Sequence, residues 1–176
     1  MKQVPSHFGG TAQGVAMSWP GHIQDVGGIR RQFHHVIDIV PTILEATGIP
    51  APETINGITQ KPIEGVSMAY TWNKASAGVP TRHTTQYFEI SGNRAIYHEG
   101  WFARTIHRAP WEAKPRRSLK DDSAWELFDV RSDFSLANDL AVKHPKKLAE
   151  LQKLYLTEAG KYHVLPMDDR VFERLD

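Results

Sequence analysis

Three β-prone runs follow one another between residues 84 and 106, and the loops between them are very short. The runs cover residues 84–90, 93–98 and 101–106. Loops of this length join antiparallel neighbours, because parallel strands need a crossover of a dozen or more residues. The sequence therefore predicts an antiparallel meander with Gly92 and Gly100 in its turns.

A fourth strand and a helix follow the meander. Residues 125–130 alternate apolar and polar side chains less regularly and are predicted to add the strand. From residue 144 to 159 apolar side chains recur at spacings of three and four, and Pro145 suits the first helical turn. These side chains are Leu148, Leu151, Leu154 and Tyr155. We expect this helix to cover one face of the small sheet.

The first fifty residues show a strand followed by a helix. Residues 14–19 are a short apolar run ended by Pro20, as expected of a central strand buried on both faces. The helix is predicted from an N-cap at Asp38 to Gly48 at its C-terminal end, and Pro41 is tolerated in its first turn. This order indicates the edge of an α/β sheet. Residues 49–62, rich in Pro and Gly, are predicted to be a connector with turns.

Composition excludes several classes of protein. The 176 residues carry 21 basic and 20 acidic side chains, so a nucleic-acid partner is not expected. No stretch has the roughly 18 apolar residues of a membrane span, and the first residues lack the apolar segment of an export signal. Cys is absent, which excludes disulfides and cysteine nucleophiles but leaves the compartment undetermined, cytoplasmic or periplasmic.

Three ordered motifs carry a family resemblance. The first combines Lys2, the glycine pair after His7 and the Trp-Pro-Gly exit within residues 15–23. The second is the Asp-x-x-Pro-Thr helix at residues 36–48, and the third is the Glu-Leu-Phe-Asp segment with its downstream acidic turn at residues 125–145. In this order they resemble the distal part of arylsulfatase-type sulfatases of the alkaline phosphatase superfamily. Two departures, Phe134 for a proline and Leu136 for an acidic residue, affect the turn after Asp133.

The resemblance implies an α/β fold in which the edge of the central sheet precedes a small antiparallel sheet packed with a helix. Residues 1–75 would be the distal part of the catalytic domain and residues 76–176 a C-terminal subdomain. It assigns sulfate binding to Lys2, whose ammonium is a compact positive charge. His7 is a candidate for contact with the leaving group or the substrate. For the adjacent His34 and His35 a metal site is not expected, because neighbouring side chains diverge.

Family members use a formylglycine and a divalent cation, usually calcium. The chain lacks both Cys and the Ser-x-Pro-x-Arg alternative that formylglycine requires, and it lacks the family's acidic cluster for calcium. The expected function is therefore the C-terminal portion of an enzyme that hydrolyses sulfate esters, inactive without an N-terminal half. We also expect self-association through an exposed sheet edge. Alternatives are a non-catalytic binding module and part of a phosphonate or phosphate monoester hydrolase.

Overall fold

The computed structural model describes residues 7–109, 111–112, 114, 118–119 and 124–167. Two compact units make up the chain. One comprises Ala16–Thr84, and the other combines the segment before it with the segment that begins at Thr85. The domain boundary between residues 75 and 76 stays a prediction. No helix of the described segments is long and apolar enough to cross a membrane.

The predicted meander is confirmed as a four-stranded antiparallel sheet in the order β3-β4-β5-β6. Its strands are β3 Thr85–Ile90, β4 Asn93–His98, β5 Trp101–Thr105 and β6 Glu126–Asp129. Both residues of each tight loop have positive φ, namely Ser91 with Gly92 and Glu99 with Gly100. This is the geometry of a two-residue hairpin turn whose twist matches that of the flanking strands. The register therefore follows from two short loops.

One face of the sheet packs against the predicted C-terminal helix, α3, which spans Pro145–Lys161. Leu151, Tyr155 and Ala159 repeat every four residues along α3 and are fully buried. They form a hydrophobic core with sheet residues. The sheet contributes Ile96, Ala103 and Leu127 to this core, and Trp125, which precedes β6, adds its indole ring.

The acidic turn after β6 forms despite its two departures from the family pattern. The Asp133 carboxylate accepts hydrogen bonds from the amides of Ala137 and Asn138 at 2.8 and 2.7 Å and from the Ser135 hydroxyl at 2.8 Å. Leu136 is buried at φ 52°. The loop is thus held by the aspartate rather than by a following proline.

The unit Ala16–Thr84 contains the predicted helix, here α2, Ile39–Thr47, preceded by a 3₁₀ turn at Val36–Asp38. Gly48 ends α2 in the left-handed conformation, φ 67°. The predicted connector also holds a small hairpin of β1 Thr54–Ile55 and β2 Ile58–Thr59. Its two-residue loop, Asn56-Gly57, has positive φ at both positions.

The predicted strand at residues 14–19 is wrong for this chain. Neither sheet of the described residues includes this segment, and Val15 and Met17 are exposed rather than buried on both faces. A central strand needs hydrogen-bonded neighbours on each side and packing layers on both faces. Among the described residues no strand pairs with the segment, and of its side chains Trp19 packs against Trp72. Self-association through a sheet edge stays a prediction.

Candidate functional site

The resemblance assigns substrate contacts to Lys2 and His7. Both come before α1, Phe8–Thr11, in the sequence. Lys2 lies outside the described residues. His7 is the N-cap of α1, and its Nδ1 accepts a hydrogen bond from the Gly9 amide at 3.2 Å. A neutral imidazole whose Nδ1 is an acceptor carries its proton on Nε2. Neutral His7 therefore has an Nε2–H group that can act as a donor.

The side chain after His7 anchors this turn to the sheet. Phe8 meets Phe102 of β5 edge to face, with ring centroids 4.9 Å apart, and it also contacts Phe134 at 5.5 Å. Phe102 is fully buried. Edge-to-face aromatic pairs add to the stabilisation that burial alone provides. The backbone that carries His7 is thus held by one aromatic contact with the sheet, at Phe102, and by a second with Phe134 in the loop after β6.

A buried carboxylate organises the other unit. Asp38 is 0% exposed. Its oxygens accept hydrogen bonds from the backbone amides of His35 and Val66 at 2.9 and 2.8 Å. They also accept from Nδ1 of His83 at 2.8 and 2.9 Å and from Nδ1 of His34 at 3.1 Å. We call these five residues the Asp38 cluster. It joins the start of α2 to two distant segments of the chain.

Electrostatics decide the charge state of the cluster. Burial opposes ionisation of Asp38, but hydrogen bonds from His34, His83 and the two amides outweigh it and hold the pKa of Asp38 well below its usual range. Burial lowers the pKa of His35, the nearby His83 lowers it further, and Asp38 acts in the opposite direction. At neutral pH Asp38 is therefore an ionised acceptor beside a neutral His35.

The ionised carboxylate fixes the direction of the neighbouring hydrogen bonds. Because it can only accept, His34 donates from Nδ1, and the Nε2 of neutral His34 then accepts from the Tyr70 hydroxyl at 3.3 Å. The Tyr70 oxygen in turn accepts from the Arg82 amide at 3.1 Å, and the Arg82 guanidinium lies 4.4 Å from the Tyr70 ring centroid. A chain of donors and acceptors thus runs from Arg82 to Asp38.

Thr42, one turn after Asp38, extends this polar contact. Its hydroxyl donates to the Asp38 carbonyl at 2.6 Å and accepts from the Met68 amide at 2.8 Å. Buried polar groups that are fully hydrogen-bonded rigidify the backbone segments they join. The Asp38 cluster and Thr42 therefore position backbone rather than present a reactive group. In the part of the chain that the structure describes, no three His, Asp or Glu side chains are placed to hold a metal ion.

The sequence located part of this arrangement. Asp38 occupies the predicted N-cap position, but its side chain makes no capping hydrogen bond to α2 and instead binds the histidines. The four-residue spacing of His34 and Asp38 is compatible with their contact, although His34 precedes the helical residues. His83 was missed, because it lies 45 residues from Asp38 and no local pattern connects them.

No protein-family model matches the chain. Among curated proteins, the chain is similar to an uncharacterized sulfatase, PB10D8.02c, of Schizosaccharomyces pombe. The two are 29% identical over 155 residues, which is 84% of this chain and 25% of that sulfatase.

Among solved structures, Ps i-CgsB shares the fold with a TM-score of 0.53 and 19% identity, over 82% of this chain and 27% of that one. A Bacteroides thetaiotaomicron protein from a core locus for the metabolism of multiple glycosaminoglycans (BT33336S-sulf) gives a TM-score of 0.49 and 22% identity, over 73% of this chain and 25% of that one. The chain thus spans about a quarter of the length of these relatives.

Proposed function

We propose that this chain serves as the C-terminal portion of an arylsulfatase-type enzyme that hydrolyses sulfate monoesters, because it is similar to a sulfatase and its three ordered motifs resemble the distal part of that family. The observation that carries the proposal is the similarity to a sulfatase along 84% of the chain. The three ordered sequence motifs support it independently. The whole enzyme's activity would require the remaining three quarters of such a protein.

Lys2 is proposed to contact the sulfuryl oxygens of the substrate. The sulfuryl oxygens of a sulfate ester carry negative charge, and cleavage of the S–O bond builds further negative charge on the leaving oxygen. A lysine ammonium offers three donors and a full positive charge that need not reorganise during the reaction. The assignment rests on the position of Lys2 in the first motif.

His7 is proposed to donate a proton to the leaving oxygen or to bind the substrate. The hydrogen bond from Gly9 to Nδ1 supports the substrate-binding role, since it keeps the proton of the neutral ring on Nε2, which can donate a hydrogen bond to the substrate. Proton transfer to the leaving oxygen would come from the doubly protonated ring, in which Nδ1 no longer accepts from Gly9. The Phe8 contact with Phe102 supports either role by fixing the adjacent backbone. A general acid of this kind must be held within hydrogen-bonding reach of the departing oxygen.

The nucleophile and the metal do not fit the residues of this chain. Its sequence contains neither Cys nor a Ser-x-Pro-x-Arg segment from which a formylglycine is made. Within residues 7–109, 111–112, 114, 118–119 and 124–167, no cluster suits a divalent cation. We therefore assign formylglycine and calcium to the part of the enzyme that has no counterpart here. The isolated chain is expected to be inactive.

A chimera tests the proposal. The 176 residues replace the matching C-terminal region of an active arylsulfatase, and hydrolysis of p-nitrophenyl sulfate is compared with that of p-nitrophenyl phosphate. We expect sulfatase activity in the chimera and none in the isolated chain. Lys2→Ala should lower kcat/KM by about 10²–10³-fold and His7→Gln by about 10²-fold or more. Lys153→Ala, an exposed lysine of α3, is the matched control.

Each contrary outcome has a separate meaning. Full activity in the Lys2→Ala chimera removes the proposed sulfate contact. Faster hydrolysis of the phosphate ester assigns the chain to a phosphate monoester hydrolase instead. A folded chimera without either activity favours the non-catalytic binding module.

A further inference from the structure

The helix α2, together with the 3₁₀ turn Val36–Asp38 before it, has its polar side buried and its apolar side exposed. Asp38 and Thr42, four residues apart, are 0% and 5% exposed and carry the hydrogen bonds described above. On the opposite side lie Val36, Ile39, Val40 and Ile43, whose spacings of three and four place them on one helical face. We call these four residues the α2 face.

The α2 face is strongly exposed for aliphatic side chains of this size. Val36 is 68% exposed, Val40 52% and Ile43 55%. The four side chains include no charged or polar group, so nothing in the α2 face favours contact with water. Contiguous exposed apolar surface of this kind marks an interaction site rather than an ordinary protein surface.

In the rest of the unit Ala16–Thr84, too, the buried side chains are mostly polar. Its buried residues within the described chain are Asp38, Thr42, Met68, Thr71 and His83. Met68 is the single apolar side chain among them, so polar contacts hold the unit together. A unit whose apolar side chains remain outside has not yet buried its hydrophobic surface. Its own strands, β1 and β2, are two residues long and exposed.

We propose that the α2 face docks against the sheet of the sulfatase portion that has no counterpart in this chain. The inference rests on the proposed function. The chain spans about a quarter of the length of its relatives. The other three quarters of such a protein are large enough to cover the α2 face. In α/β proteins the apolar stripe of a helix is buried against a sheet face, which gives the occupant its chemistry: an apolar β-sheet surface.

The absence of cysteine makes a direct test available. Val40→Cys and Ile43→Cys each introduce the chain's single thiol, because the sequence contains none. Val142→Cys, at a valine that is 96% exposed and outside this unit, is the control. The rate of maleimide labelling of each thiol, followed by mass spectrometry of peptides from this chain, is measured in the isolated chain and in the arylsulfatase chimera.

We expect thiols at 40 and 43 to react rapidly in the isolated chain and at least about tenfold more slowly in the chimera, while the thiol at 142 keeps its rate. Equal rates in both proteins would overturn the inference. So would protection in the isolated chain that disappears on dilution, because the occupant would then be a second copy of this chain. Substitution by cysteine removes little volume at exposed positions, and circular dichroism of each variant verifies that α2 is intact.

The outcomes also separate this inference from the proposed function. A chimera that hydrolyses aryl sulfate while its thiols at 40 and 43 stay reactive keeps the function and removes the docking surface. Protected thiols in a chimera without sulfatase activity keep the docking surface and remove the function.

Discussion

The Nδ1 atom of His83 lies 2.8 and 2.9 Å from the two carboxylate oxygens of Asp38, although 45 residues separate them along the chain. Asp38 in turn holds the start of α2, and Thr42 holds the same helix to Met68. Since this unit has little buried apolar surface, the bond between Asp38 and His83 should contribute an unusually large share of its stability.

Replacing Asp38 with Asn tests that expectation. The asparagine amide has nearly the same shape as the carboxylate but carries no charge. Its NH₂ group is itself a donor, so it cannot accept the hydrogen bonds that one carboxylate oxygen receives from the histidines and backbone amides. We expect the free energy of unfolding of the unit to fall by about 2–4 kcal/mol. Urea unfolding followed by circular dichroism measures it. Glu45→Gln, an exposed carboxylate on the same helix, should change it little, and equal losses in the two variants would contradict the role of Asp38.

The acid stability of the protein should depend on the same carboxyl. The folded-state pKa of Asp38 lies below its ordinary value of 3.8, so the unfolded chain binds a proton more readily than the folded one. Asp38 therefore stabilises the fold above about pH 4, and this contribution is lost as the pH falls through the folded pKa.

Urea unfolding between pH 7 and pH 3 measures this effect, and the loss of stability on acidification should be shallower in Asp38→Asn. A residual slope is expected from Asp129 and Asp133, whose pKa values are also lowered, by Arg131 and by the Asn138 amide respectively. Parallel acid profiles for wild type and variant would show that Asp38 does not carry the effect.

Two leucines of α3 provide a matched pair for the core of the other unit. Leu151 is fully buried against the sheet, whereas Leu156 on the same helix is 49% exposed. Leu151→Ala should cost about 2–5 kcal/mol through lost burial and the cavity it leaves, and Leu156→Ala less than about 1 kcal/mol. Thermal and denaturant unfolding compare them. Similar losses would mean that α3 does not pack through the face described.

The turn between β3 and β4 leaves no room for a side chain at Gly92. Gly92 has φ +83°, and a Cβ atom there would lie 2.6 Å from side-chain atoms of His107 and Leu119. Gly92→Ala should therefore destabilise the sheet by about 1–3 kcal/mol. Gly14→Ala, where an added Cβ meets nothing within 4 Å, is the control and should be close to neutral. A neutral Gly92→Ala would place this turn in another conformation.

The part of the fold that sequence could predict is the part governed by neighbours in the chain. The sheet follows from short loops with glycine at the required position, and α3 from a regular apolar spacing after Pro145. The small β1–β2 hairpin also had a local signal, Asn56-Gly57, which favours a two-residue turn.

What sequence could not predict depends on contacts between distant segments. The apolar pattern of residues 14–19 indicates a strand with neighbours on both sides, and the described residues provide no such neighbours. For the candidate site, the Gly9 hydrogen bond to His7 and the contact of His83 with Asp38 required the structure. An aspartate before a helix indicates capping, so the contact of Asp38 with the distant His83 could not be foreseen.

The contact between Phe8 and Phe102 has a consequence for the order of folding. Ala16–Thr84 lies between these two residues in the sequence, whereas β3, β4 and β5 pair with their immediate neighbours. Local hairpins form before long loops close. The entropic cost of closing a loop rises by only about 0.6 kcal/mol for each doubling of its length, so the long segment between Phe8 and Phe102 does not prevent their contact. On a ribosome, the segment that carries His7 is synthesised before this sheet, and we expect it to reach its final position only after β3, β4 and β5 have paired.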